Sequence, residues 1–300
     1  MNKAMRKILF VFAVVAGLCS CSKEDWFEDI QPEINFFAVP EGATGEEADL
    51  RRGFFEETSI YLLFNDTLGV REVPTLSGTA QNYQVVNLFW DMNVGDDYPD
   101  SLELYYYRDM AEKSAAAQFL QEEVFGSLPE LFYPYSVLAL DRLVRYTNTY
   151  GMFGEGEEIS TFAGMQSTAV ALGDVAHLGQ EDRERLVSDI IGQIVISRIN
   201  LIPDEEFADF YAYSAGYYDS DMDYYDVPTP VESVGFLDTY TLSWGVTFNS
   251  ESNDKLAFVE KIFELTEEEF RTTYSEYPIV INKMEEMVRV LREYGVNVYE

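Results

Sequence analysis

Apolar residues follow two different spacings along this chain, and the change from one to the other organises it. Between Ile34 and Trp90 they come in short β-branched or aromatic runs, INFFAV, SIYLLF and YQVVNLFW, separated by Gly, Pro and Asn. Runs of that kind bounded by turn residues predict strands. Residues 109–125, DMAEKSAAAQFLQEEVF, carry strong helix formers at helical spacing and predict a helix. YSVLALDRLV and TFAGMQSTAVAL return to strand character, with GMFGEGEE predicted as the loop between them.

From Gln180 onward the pattern is mostly helical. RERLVSDIIGQIVISRI, residues 183–199, is apolar at nearly every angle and interrupted by Asp189 and Gln193. Four residues at 3.6 per turn leave those two about 40° apart on one face. This predicts a buried central helix over 182–200. A helix over 252–265 begins at a Ser/Asn cap. Thr266 to Glu269 forms a capping box, and a helix over 278–294 has Pro278 in its first turn and stops before Gly295. Strands first and helices after predict an α+β domain. It would occupy residues 34–300 as one unit, a β-rich N-terminal portion packed on a mainly helical C-terminal half.

The start of the chain changes where that domain is expected to work. Lys3, Arg6 and Lys7 precede an apolar run from Ile8 to Leu18, the n-region and h-region of a secretory signal. A membrane-spanning helix needs about 20 apolar residues, so this run is too short to be one. Leu18-Cys19-Ser20-Cys21 matches a bacterial lipoprotein signal, which predicts removal of residues 1–20 and lipidation of Cys21. Several acyl chains would anchor it stably, where one would not. Residues 21–33, with Glu24, Asp25, Glu28 and Asp29, form an acidic tether. It resembles the tag that sends such lipoproteins to the outer face of the outer membrane. Cys19 and Cys21 are the only cysteines, so the domain is expected to be stable without disulfides.

Charge narrows the partners. The formal net charge is −34, and loss of the three basic signal residues takes the mature chain to −37. Nucleic acid is excluded, because phosphate binding requires a cationic stripe. No polybasic patch is present to hold a membrane, which leaves anchoring to lipid.

Little of the usual catalytic equipment is present. His177 is the single histidine, in the turn-rich stretch GDVAHLGQ, and reads as a surface or structural residue. One histidine and no free cysteine cannot furnish a zinc ligand set or a His-based triad. Asp219, Asp221 and Asp223 alternate as in calcium loops, yet Tyr224 and Pro230 stand where an EF-hand needs glycine and glutamate. An acidic tyrosine-rich loop is the simpler reading there, with a looser calcium site as the alternative. Between 211 and 244 lie nine aromatic residues, among them Tyr211, Tyr218, Phe236, Tyr240 and Trp244. Tyr and Trp of this kind serve the core or an exposed ligand platform.

Taken in order, several segments resemble a known family. DIIGQIVISRI is followed by PDEEFADFYAYSAGYY, GFLDTY, NDKLAFVE and YPIVINKMEEMVRVLREYG. The series is similar to the gluzincin-like zinc-binding metallopeptidase lipoproteins of Bacteroidetes-type bacteria, a family often encoded beside glycan-uptake systems. The resemblance implies a zincin-like α+β fold and departs from the family at every catalytic position. Asp189 and Gln193 stand at the two histidines of H-E-x-x-H, Ile190 at the general-base glutamate, and Asp254 at the third ligand. Isoleucine cannot take a proton from water, and Asp/Gln/Asp is a poor zinc set.

The expectation is therefore a non-catalytic, metal-free member in which these residues survive as scaffold. Asp189 and Gln193 would be buried and face the helix carrying Asp254, the three hydrogen-bonding to one another, to backbone or to trapped water, beside a glycan- or peptide-binding cleft flanked by Tyr240 and Trp244. Two readings from other classes stay open: a structural subunit of an outer-membrane complex, and a hydrolase using paired carboxylates.

Overall fold

Ser136–Leu140, with the sequence SVLAL, is buried at every position. Side chains of a strand alternate between its two faces, so a strand buried throughout must be covered on both. The rest of the fold meets that requirement. The computed structural model describes residues 35–75, 78–89, 99–164, 166–220, 230–242 and 245–299.

The strands are β1 (Tyr61–Leu63), β2 (Thr67–Thr75), β3 (Gly78–Val85), β4 (Ser101–Tyr105), β5 (Ser136–Leu140), β6 (Arg142–Thr149), β7 (Met152–Glu158), β8 (Thr161–Ala163), β9 (Ser167–Ala171), β10 (Thr239–Leu242) and β11 (Gly245–Phe248). The α-helices are α1 (Glu46–Thr58), α2 (Met110–Phe119), α3 (Gln180–Arg198), α4 (Ala208–Ala212), α5 (Glu251–Glu264), α6 (Glu267–Thr273) and α7 (Pro278–Glu293). The central sheet has the order β1-β5-β9-β8. Its first three strands run parallel, and β8 pairs antiparallel to β9 at one edge.

Val137, Ala139 and Val170 point to one side, into a core shared with the helices, including Ile190, Ile194, Phe258 and Met287. Leu138, Leu140 and Ala169 point to the other, where Phe37, Leu88 and Leu143 close a second core. A three-stranded antiparallel sheet, β4-β6-β7, joins on that side through Asp141, whose N–H donates to Tyr105 O. Residues 37–300 cluster as one unit. The α+β class follows directly. Among the described residues no single helix is long and apolar enough to cross a membrane.

Several expected elements differ. INFFAV is not a strand where it is described: residues 36–38 form a turn that delivers Phe37 to the core. Residues 46–58, inside the portion expected to be β-rich, form α1. Their apolar content is low, and tertiary contacts fix the helix: the Arg51 guanidinium donates to Leu62 O at 2.7 Å and to Phe37 O. GMFGEGEE is not a loop but contains β7, exposed along its whole length. The ladder to β6 and the ion pair Arg142–Glu158 at 3.0 Å supply what its composition lacks. YSVLALDRLV divides at Asp141 into strands of two different sheets, and TFAGMQSTAVAL folds back as β8 and β9. A hairpin, β10–β11, interrupts the helical half.

The helices α3 and α5 meet at Gly192. A Cβ built there would lie 2.9 Å from Cγ of Phe263, so the ring occupies the space any other residue would need. Gly192→Val should destabilise the domain by about 1–3 kcal/mol through overpacking. Denaturant unfolding measures this, and an unchanged midpoint would contradict the packing described.

Candidate functional site

A cleft of about 620 Å³ runs along β8, between that strand and the helices α3 and α5. Ser160, Thr161, Phe162 and Ala163 form its floor. Asp189, Gln193 and Ile196 come from α3, and Glu260, Phe263 and Glu264 from the C-terminal half of α5. The sequence sets this up through helical spacing: residues 189, 193 and 196 share one face of α3, and 260 and 264 lie one turn apart on α5.

The edge strand gives the cleft a polar backbone. Ala171 N–H donates to Ser160 O, and Gly164 N–H donates to Ser167 O. With the antiparallel register, residues 160, 162 and 164 therefore direct their backbone groups to β9. Thr161 and Ala163 direct theirs the other way, toward the unpaired edge, where Thr161 is itself buried and Ala163 half-buried. Among the described residues β8 pairs with β9 alone.

The cleft is acidic. Burial raises the pKa of Asp189, opposed by the charge of Arg185. Burial also raises that of Glu260, with help from the nearby charges of Asp238 and Glu264 and opposition from Lys261. Arg145 reaches the cleft rim, but its guanidinium is engaged by Asp100 at 2.6 Å.

The four positions implied by the family resemblance do not form one site. Asp189 and Gln193 share the cleft, but both are exposed instead of buried. Ile190 points into the main core, fully buried. Asp254 lies on α5, the helix α3 does face, but in its first turn. Nine residues separate Asp254 from Phe263, which is two and a half turns at about 100° per residue. Asp254 therefore points away from the α3 side, and its expected bonds to Asp189 and Gln193 are replaced by others.

Those others define a second polar centre, fully buried. Lys283 of α7 and Asp254 are both 0% exposed, with Lys283 Nζ 2.5 Å from Asp254 Oδ2. Tyr218 donates its hydroxyl hydrogen to the same Oδ2 at 2.7 Å. Nζ also reaches Gly235 O at 2.9 Å and Ser214 Oγ at 3.1 Å. The rings of Phe210, Phe258 and Phe236 surround the amine at 4.4, 4.9 and 5.1 Å from their centroids. Asp254 Oδ1 is buried with no hydrogen-bond partner. Burial raises the Asp254 pKa against the pull of Lys283, and burial lowers the Lys283 pKa against the pull of Asp254. Both shifts favour the neutral forms.

The aromatic stretch is spent on this centre. Tyr218 packs edge-on against Phe236 and Tyr211, and Phe210 edge-on against Phe258. Within the described residues these rings form core, not an exposed platform. Trp244, Asp221, Asp223 and Cys21 lie outside the described residues, as does the side chain of Tyr240, whose backbone is in β10. Asp219 is exposed, with its N–H directed to Asn249 O. His177 is exposed and 2.8 Å from Asp174. Among the described residues no group of three His, Cys, Asp or Glu could hold a metal ion. Glu260 and Glu264, which face Asp189 and Gln193 across the cleft, were not singled out by sequence. Their one-turn spacing on a helix was the available signal.

No family model, curated protein or solved structure matches the chain.

Removing one member of the buried pair strands the other. Lys283→Met should cost about 3–5 kcal/mol of stability because Asp254 is left uncompensated in the core. Adding Asp254→Leu should recover part of that loss. A double variant no more stable than the single, by thermal or denaturant unfolding, would contradict the account.

Proposed function

We propose that this chain is a lipid-anchored binding protein of the bacterial cell surface whose domain is a non-catalytic relative of zincin-like peptidases. Its ligand is an extended peptide, held in the cleft between β8, α3 and α5. The observation that carries the reading is the edge strand: Thr161 and Ala163 offer outward backbone N–H and C=O groups along the cleft floor. An extended peptide adds to such an edge through main-chain hydrogen bonds, and alternate side chains then enter the flanking pockets. A glycan has no repeating N–H and C=O pair to satisfy that edge.

The walls suggest which peptides are preferred. Asp189, Glu260 and Glu264 face the bound strand, and the neighbouring cations are already paired, Arg145 with Asp100, Arg185 with Asp182 and Lys261 with Glu264. A peptide with basic residues at alternate positions complements them. Catalysis is not part of the proposal. Ile190 stands where the family resemblance expects a general base, and one exposed histidine is the chain's whole supply. Cys21 and the acidic tether would hold the domain at the outer face of the outer membrane, beside an uptake system that handles the captured ligand.

The decisive experiment uses an unstructured peptide of alternating Lys and Thr, titrated calorimetrically. Ala163→Pro removes one outward N–H without touching the bonds to β9, and proline is tolerated at such edge positions. Loss of one or two backbone hydrogen bonds at about 1 kcal/mol each predicts binding weaker by roughly 5- to 30-fold. Equal affinity for wild type and variant would refute strand addition.

Acid should weaken the same interaction. Asp189 and Glu260 hold their protons to higher pH than ordinary carboxylates, so their charge, and the attraction for Lys, fades before the usual carboxylate range is reached. Stability runs the opposite way. A raised folded-state pKa contributes stability that is full below the unfolded value and lost as pH rises through the folded one. Affinity that held steady as the pH fell through that interval would remove these two groups from the site.

The anchor is tested separately. Cells fed a fatty-acid analogue should label the wild-type chain and not Cys21→Ala. Equal labelling of the two would remove the lipid from the proposal.

A further inference from the structure

The buried Lys283–Asp254 centre plays no part in the cleft, and its chemistry points beyond an ion pair. We propose that Lys283 Nζ and Asp254 Cγ condense to an intramolecular amide, covalently joining α7 to α5. The site is built from groups already in place: an amine 2.5 Å from one carboxyl oxygen, both residues fully buried, and three aromatic rings excluding water around the amine.

Burial removes the obstacle that normally prevents this reaction. In water an amine and a carboxyl exist as ammonium and carboxylate, in which the nitrogen lone pair is tied up and the carbon is not electrophilic. A low-dielectric site disfavours both charges, so the proton moves from Nζ to the carboxyl and leaves an amine facing a carboxylic acid. The raised Asp254 and lowered Lys283 pKa directions agree with that transfer. A lysine desolvated among apolar groups is activated as a nucleophile for the same reason.

The partners select which oxygen leaves. Nζ lies beside Oδ2, so the transferred proton arrives there, and the Tyr218 hydroxyl donates to the same oxygen at 2.7 Å. The neutral Nζ attacks Cγ and the Nζ–Cγ bond forms. The Cγ–Oδ2 bond then breaks, and Oδ2 leaves as water with the carboxylic-acid proton and one proton from nitrogen. No oxidant, reductant or other reactant is required. Oδ1 remains as the amide carbonyl oxygen, and the remaining amide N–H can donate to Gly235 O, 2.9 Å from Nζ. Ser214 Oγ, at 3.1 Å from Nζ, and Tyr218 are the polar side chains positioned to relay protons during the exchange. The product leaves no charge buried.

Mass spectrometry of the full purified chain tests this directly. Trypsin cuts after Lys255 but cannot cut after an acylated Lys283. The expected digest contains residues 199–255 joined to residues 272–289, lighter than the two chains together by the mass of one water. Lys283→Met abolishes the branched fragment and restores the lost water. Asp254→Asn should form the same amide with loss of ammonia instead. Recovery of residues 272–283 and 284–289 as separate linear peptides from the wild-type chain would overturn the proposal, whatever the peptide-binding experiments show. A water loss mapped to any other residue would overturn it equally.

Discussion

Everything in this fold follows from one strand that cannot face water. β5 is buried along its full length, so both faces of the central sheet must be covered. Helices bury Val137 and Ala139 on one side. On the other, Leu138 and Leu140 meet Phe37, Leu88 and Leu143. That sandwich leaves only the sheet edges open to function. On the β8 side, α3 and α5 flank the edge without closing over it, and a cleft results. The cleft is thus what remains after the core has been satisfied.

The same demand for burial explains why the acidic residues divide into two populations. A formal net charge of −34 implies strong self-repulsion, which is tolerable only if nearly all of it stays in water. Among the described residues Asp254 is the buried exception, and its neighbours show what that exception requires. It has a lysine at 2.5 Å, a tyrosine hydroxyl, and a surrounding shell of aromatic rings. Phe210, Tyr211, Tyr218 and Phe236 pack there. Their density in the sequence left core and ligand platform both open, because periodicity alone cannot say whether a ring faces solvent or a buried amine.

The helical half was legible for a physical reason. Spacing near 3.6, a proline at an N-terminus and a capping box are local signals, and the helices at 251–264, 267–273 and 278–293 depend on little else. The Thr266–Glu269 box is present with both of its hydrogen bonds. The N-terminal half was harder because its elements are stabilised from a distance. α1 depends on Arg51 reaching Leu62 and Phe37, and β7 on its ladder to β6. The acceptors of Arg51 lie 11 and 14 residues away; β6 is adjacent to β7, with Thr149 paired to Met152, but the Gly- and Glu-rich composition of β7 hides the hairpin. The site was legible to a similar degree. Asp189 and Gln193 share one face of α3, as their spacing requires, but they are exposed where burial was expected, and Asp254 lies elsewhere. Asp254 was assigned to their site by order along the chain. Helical phase would have shown it half a turn away from the residue that contacts α3.

That phase relation gives α5 its particular role. Its Asp254 side is locked to Lys283 in the dry interior, while Glu260 and Glu264, further along, face the wet cleft. A rigid helix passes any rotation imposed at one end to the other, since 1.5 Å of rise and about 100° of turn per residue fix their relation. Phe263 against Gly192 sets how close α5 may approach α3. The buried pair sets how α5 is turned. Cleft width and carboxylate direction are therefore not independent of the core. The polar centre does not line the cleft, but both are carried by the one helix α5.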